Sequence, residues 1–535
     1  MTAPTKPASL PWWRGAAIYQ IYPRSFQDSN GDGVGDLAGI TSRLDYVAEL
    51  GVDAIWISPF YTSPMRDFGY DIADYCAVDP IFGTLADFDA LIARAHALGL
   101  KVIVDQVYAH SSDLHPWFAE SRSARTGPRA DWYGWADPKR DGTPPNNWQS
   151  VFGGPAWTWD ARRGQYYMHT FLKEQPQLNV HEPAVQDALL GVAKFWLERG
   201  VDGFRLDALN HSMHDPRLRN NPPAPQDGKP RSRPFDFQIR RHSQSQPGVI
   251  PFIERIRALC DEYGAIHTVA EVGGDNAQIE IAAYTRGEKR LNSAYGFDFL
   301  YAPDLTPTEV AEVLADWEGD GKRAGWPSWA FENHDAPRAV SRWCEPQDAD
   351  RFARVKMALL LALRGNVIVY QGEELGLRQD HIPFEQLQDP EAIANWPMTL
   401  GRDGARTPMP WRSAAPLGGF TTGQPWLPLS EQNLALSVAA QQADRTSLLH
   451  ETQRLLALRR SNMALRTGWI ENVIAKGSLL MFDRVAAGQH LRCLFNLSPK
   501  ALKPPPVPAH AAILASIGGA TPTTLPGYSA IYLTL

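Results

Sequence analysis

The chain has 535 residues, 44% hydrophobic and 21% charged, with a net charge of −7. That length supports two or three domains around a sizeable core, and an acidic balance leaves no basic footprint for nucleic acid or an anionic membrane surface. A neutral small molecule is the substrate this charge suits.

In chain order, Met1 to Leu10 lacks the apolar run of a secretory leader. From Ala16 short apolar runs alternate with helical segments: 17–22, 54–58, 101–107, 201–206, 267–272, 292–297, 328–331 and 366–370. This alternation predicts a closed parallel (β/α)8 TIM barrel over residues 1–109 and 180–462. Between the third and fourth runs, over residues 110–179, the helical rhythm fails and Trp132, Trp135, Trp148, Trp157 and Trp159 crowd in with Gly, Pro and Asn. That stretch is expected to form a small inserted domain over the barrel mouth. Residues 463–535 turn to short alternating runs such as 478–484 and 491–496 with a Pro-rich turn, which predicts a C-terminal antiparallel β-domain. The longest apolar run, 357–370, is broken by Arg364 and is too short to span a bilayer. Cys76, Cys260, Cys344 and Cys493 have no metal-binding spacing and suit a reducing compartment, so the expected location is cytoplasmic.

Polar groups fall where the apolar runs end. Asp28, Asn30, Asp32 and Asp36, with the Val34 carbonyl, alternate oxygen donors around glycines, a pattern suited to a structural Ca2+ or Mg2+, with a solvated turn as the alternative. Gly69-Tyr70-Asp71 follows the second run and Asp105 to His110 ends the third. In Gly203-Phe204-Arg205-Leu206-Asp207-Ala208 the Arg and Asp share one strand face, so the guanidinium can hold the carboxylate ionised and aimed, or merely tie the sheet together. Glu271 ends the fifth run, and His334-Asp335 follows the seventh. Three carboxylates around one barrel mouth cannot titrate independently, and a proton donor beside an ionised nucleophile is the arrangement that breaks glycosidic bonds.

Taken together with Tyr19 to Phe26 and Gln371-Gly372-Glu373-Glu374, these segments resemble the α-amylase superfamily, glycoside hydrolase family 13, and its intracellular α-glucosidase and oligosaccharide-glucosidase branch. The resemblance implies a retaining, exo-acting α-glucosidase in which Asp207 is the nucleophile, Glu271 the general acid and base, and Asp335 the stabiliser of the transition state. It further implies that Arg205 orients Asp207, that His110, His334 and Tyr70 meet the bound glucose, and that Asp71 pairs with Arg402 to cap the non-reducing end. Branch members specific for α-1,6 links carry Val where this chain has Ala208, and Asp where it has Gln177. Both changes are expected to face the leaving sugar and to favour α-1,4 links such as that of maltose. Sugars or alcohols are the expected glucosyl acceptors. An oligo-1,6-glucosidase, a sucrose- or trehalose-rearranging relative and a non-catalytic binding relative are the alternatives.

Overall fold

Eight buried strands, β1 (Ala17–Ile21), β2 (Ala54–Ile57), β3 (Lys101–Val107), β4 (Gly203–Asp207), β5 (His267–Glu271), β6 (Ser293–Tyr295), β7 (Ser328–Ala330) and β8 (Asn366–Tyr370), form one parallel sheet. The structure is a computed structural model and describes residues 10–535 apart from 227, 229–230, 232, 275–276, 319–324 and 400. Strand β1 pairs with β2 on one side and β8 on the other, and the parallel bridge of Ala294 with Pro327 joins β6 to β7. The sheet therefore closes on itself. Runs such as Val102-Ile103-Val104 are apolar at every position because both faces are covered, by the barrel interior and by outer helices.

The helices start and stop where local chemistry dictates. Helix α1 (Leu37–Leu50) is capped by Asp36, which accepts from Gly39 N–H, buries Leu37, Ile40, Leu44, Val47 and Leu50 along one face, and ends at Gly51 with φ 91°. Helix α2 (Leu85–Ala97) opens with a capping box between Thr84 and Asp87. Among the described residues no helix is long and apolar enough to cross a membrane.

Two additions sit on this barrel. Residues 110–179 carry the helix Pro116–Ser123 and a three-stranded antiparallel sheet of Trp135–Ala136, Gln165–Met168 and Trp157–Asp160, with Trp148 stacked on Trp157 in its core. After the short helix Met463–Thr467, the strands Trp469–Lys476, Leu479–Ala486, Gln489–Asn496, Ala512–Ile517 and Ser529–Thr534 form an antiparallel sheet. Arg484 and Tyr532 from that sheet bond the Ala362 and Ala358 carbonyls of the helix Ala349–Ala362.

A third feature is absent from the sequence reading. The connection after β4, residues 208–248, is long, and its described residues are stapled to the inserted sheet: Asn147 and Asn221 exchange bonds of 2.8 and 2.9 Å, and Trp148 Nε1 donates to the Arg219 carbonyl at 2.9 Å. Its Pro- and Arg-rich sequence has no hydrophobic period, so only tertiary contacts reveal that it roofs the barrel mouth.

Candidate active site

The floor of the mouth is organised by Arg205, which is fully buried. Its Nη1 donates to Asp207 at 2.5 Å and Asp105 at 2.7 Å, and its Nη2 lies 2.6 Å from Glu271 Oε1. Tyr295 accepts from the same guanidinium and donates to Glu271 at 3.1 Å, while Ala208 N–H donates to the other Glu271 oxygen at 3.2 Å. Three carboxylates thus share one cation. Burial pushes Asp207 up to about 7; Arg205 opposes the rise and Asp105 and Asp335 add to it. Burial likewise lifts Glu271 to about 7, against Arg205 and with Asp207 and Asp335. Asp105, expected at the rim, lies instead beneath Arg205, fully buried and bonded to Trp56 Nε1 at 2.9 Å. It sits in the interior of β3, where sequence position within the run could not show depth.

The end wall has the opposite balance. Arg402 donates to Asp67 at 2.9 Å, to Asp389 at 2.8 Å and to Asp335 at 3.3 Å, and Arg406 donates to Asp335 at 2.8 Å. Burial alone would raise Asp335, but His334, Arg402 and Arg406 outweigh it and hold its carboxyl far below the usual range. Burial pushes His334 down to about 3, so it is a neutral partner, 3.2 Å from Asp335 and 2.7 Å from the Tyr70 hydroxyl.

The expected Asp71–Arg402 pair does not form. Asp71 is fully buried and accepts from Ser63 Oγ and from the N–H groups of Arg66 and Asp67, closing a turn. Phe68 at φ 50° and Gly69 at φ 107° reverse the chain, which turns Asp71 inward and leaves Asp67 as the partner of Arg402.

These residues enclose a cavity of about 600 Å³ at the strand ends. Asp207, Glu271, Asp335, Tyr70, His110, Ala208 and Arg402 line it; Arg205 and His334 lie behind the lining, and Asp71 lies apart from it. Burial pushes His110 down to about 4, leaving a neutral imidazole 3.1 Å from the Gln175 amide. Ala208 has φ 39° and ψ 40°, a left-handed turn that lifts the chain out of β4 directly after Asp207. Gln177, expected to face the leaving sugar, is fully buried on Thr170 and the His211 carbonyl and does not reach the cavity. Aromatic walls from Phe152, Phe171, Phe235, Phe297 and Tyr301 escaped the sequence reading. They come from three connections, those after β3, β4 and β6, and share no motif.

The loop of residues 28–36 is a ladder of side-chain turns: Asn30 N–H donates to Asp28, Asp32 N–H to Asn30 and Val34 N–H to Asp32, each across two residues. Asp28 also takes Gly31 and Gly33 N–H and the Thr421 hydroxyl, and Asp36 takes Ser29 and Gly39. The donors are all oxygens, which fits a hard cation in kind. Asp28 and Asp36 also serve the loop's own N–H groups. Among the described residues no group of three His, Cys, Asp or Glu is placed to hold a metal ion.

Residues 20–468 match the α-amylase catalytic domain. The chain belongs to the α-amylase family, glycoside hydrolase family 13. A probable α-glucosidase of Rhizobium meliloti is 54% identical over 497 residues, covering 92% of this chain and 90% of that protein. An oligo-1,6-glucosidase of Parageobacillus thermoglucosidasius is 36% identical, covering 91% of each chain. Among solved structures, an α-glucosyl transfer enzyme superposes with a TM-score of 0.94 at 48% identity, over 98% of this chain and 99% of that one. This family 13 chain is therefore a glycoside hydrolase built on the family's TIM barrel, and the Arg205 floor and Arg402 wall stand at its barrel mouth.

Proposed function

We propose that the protein is a retaining, exo-acting α-glucosidase that releases glucose from the non-reducing end of maltose and other short α-1,4-linked oligosaccharides. One observation carries this reading. Arg205 holds Asp207 and Glu271 at once, on the floor of a pocket whose far end is walled by Arg402. Two carboxylates bridged by one guanidinium suit the spacing of about 5–5.5 Å used for double displacement better than the ~6.5–9.5 Å that admits an intervening water.

In this reading Asp207 attacks the anomeric carbon and the bond to the leaving sugar breaks. Glu271 gives its proton to the departing oxygen, and a glucosyl ester forms on Asp207. Glu271 then takes a proton from water, which opens the ester and restores both groups. Asp335, kept ionised by its arginines, faces the positive charge that develops on the sugar ring. Tyr70 and His110 meet the bound glucose, and His334 orients Asp335. Small sugars or alcohols replace water as acceptors in transfer, a second reading favoured by the aromatic walls and by the likeness to an α-glucosyl transfer enzyme. The loop of residues 28–36 would hold Ca2+ or Mg2+ as a structural ion, through donors that stabilise the first turn and touch no reacting atom. Four cysteines, none in a disulfide, support a reducing, cytoplasmic setting.

Product analysis after incubation with maltose, isomaltose, sucrose and trehalose tests the assignment. Glucose released fastest from maltose, first as the α-anomer, is expected. Mid-chain cleavage of soluble starch, first release of the β-anomer or faster turnover of isomaltose would contradict it.

A further inference from the structure

We propose that Asn210 and Gln244 are positioning residues for Glu271: their side-chain amides grip the carbonyl two residues beyond it and fix its carboxyl relative to Asp207. Asn210 lies in the turn that follows β4, three residues after Asp207, and is 1% exposed. Its Nδ2 donates to the Gly273 carbonyl at 2.6 Å, to Glu280 at 2.9 Å and to Ser245 Oγ at 3.3 Å. Gln244, 3% exposed on the long connection after β4, donates its Nε2 to the same Gly273 carbonyl at 2.6 Å.

The gripped backbone has no slack on its other side. A Cβ on Gly273 would stand 2.4 Å from the Phe297 ring, and Gly274 holds φ 124° with its own Cβ position blocked by the Gln244 amide. Glu271 is therefore fixed from both ends, by Ala208 N–H at its carboxyl and by two amides at the chain that follows it. Both ties come from the segment that begins at Asp207, so the nucleophile's strand sets the acid's position. Displacement of a proton donor by about 1 Å costs on the order of 10²-fold in rate, while binding of the substrate ring is little changed.

This inference rests on Glu271 being the general acid, and the experiment separates the two. Asn210→Ala, Gln244→Ala, the double variant and Glu271→Gln are assayed on maltose and on an aryl α-glucoside whose leaving group needs no proton. Because both amides serve one oxygen, each covers for the other. The single variants should lose less than about 10-fold in kcat on maltose, and the double variant about 100-fold, more than their product. KM should stay within about twofold, and the aryl glucoside should lose roughly 10-fold less than maltose. Gln244→Ala carries the leaving-group test by itself if Asn210→Ala does not fold. If Glu271→Gln discriminates between the substrates but the amide variants do not, or if the loss falls in KM or the two effects simply multiply, the inference fails and the role of Glu271 stands. If Glu271→Gln loses equally on both substrates, the role of Glu271 fails and the positioning role with it.

Discussion

The floor and the end wall of the pocket each hold three aspartate or glutamate side chains, yet their protons are distributed in opposite ways. On the floor Asp105, Asp207 and Glu271 share the single guanidinium of Arg205, and burial pushes all three up, to between about 6 and about 7. At the wall Asp67, Asp335 and Asp389 share Arg402 and Arg406; burial opposes ionisation there too and pushes Asp67 up, yet Asp335 and Asp389 are held low. Asp335 is the more exposed, yet burial still works against its charge, and the ratio of cations to anions is what differs. Where one arginine serves three carboxylates a proton stays and acid catalysis becomes available; where two serve three, Asp335 stays charged and can face a cationic transition state.

The largest predicted effect removes the floor's nucleophile. Asp207→Asn should lower kcat by about 10⁴-fold or more with an unchanged circular-dichroism spectrum, because the amide keeps the shape and cannot form the ester. Glu271→Gln should cost maltose about 10²–10⁴-fold and activated aryl glucosides less.

Breaking the wall should act differently. Arg402→Ala strands Asp67 and Asp389 as buried, poorly paired anions, at a cost of about 3–5 kcal/mol in stability, with a raised KM for maltose. Asp67→Asn should raise KM, whereas Asp71→Asn should leave KM unchanged, since Asp71 only closes its turn. Equal effects at both positions would undo the reassignment of the wall.

The pH dependence sharpens the contrast. With Asp207 and Glu271 both pushed to about 7, the pair should lose two protons in steps on either side of neutrality, giving a bell-shaped kcat/KM. The sign for stability follows from a folded value above the unfolded one of about 4.3 for a glutamate. The contribution of Glu271 is full below about pH 4 and is lost as pH rises through about 7. Glu271→Gln should therefore match the wild-type Tm at acid pH and exceed it above neutrality; a lower Tm there would mean that Arg205 holds the carboxylate charged.

Much of this molecule was legible before its structure. The eight apolar runs became the eight strands because burial on both faces leaves a continuous hydrophobic record, and Asp207, Glu271 and Asp335 stood out because polar groups at strand ends break that record. What stayed hidden depended on chain reversal and depth. Asp67 and Asp71 flank the same short motif, and only the left-handed Phe68 and Gly69 decide which of them reaches Arg402. Gln177 reads as a rim residue and is buried, while Asn210, although it lies in the stretch that follows Asp207, shows no sign of its bond to Gly273, and Gln244 carries no motif.

Two smaller effects probe the edges of the pocket. Ala208→Val places a β-branched side chain at φ 39°, a strain of about 1–3 kcal/mol, so Tm should fall and activity drop on maltose and isomaltose alike. The maltose-to-isomaltose ratio of kcat/KM should fall as well, within the ~10–200-fold that one or two methyl groups can discriminate. An unchanged ratio would leave linkage choice to the aromatic walls. Smallest of all, a chelator should lower Tm by about 1–3 °C and leave the initial rate at moderate temperature intact, as expected for an ion held only by the loop of residues 28–36. Immediate loss of rate without a change in Tm would give the ion a chemical role.

The central claim, that the outnumbered arginine of the floor sets Asp207 to attack and Glu271 to protonate, is tested most directly by trapping the ester. A fluorinated α-glucosyl fluoride that forms the intermediate faster than water releases it should add one glucosyl unit to the intact protein. Peptide mass spectrometry should place that unit on Asp207, and Asp207→Asn should abolish it; a label on Glu271 or Asp335, or full turnover with no label on any carboxylate, would contradict the account.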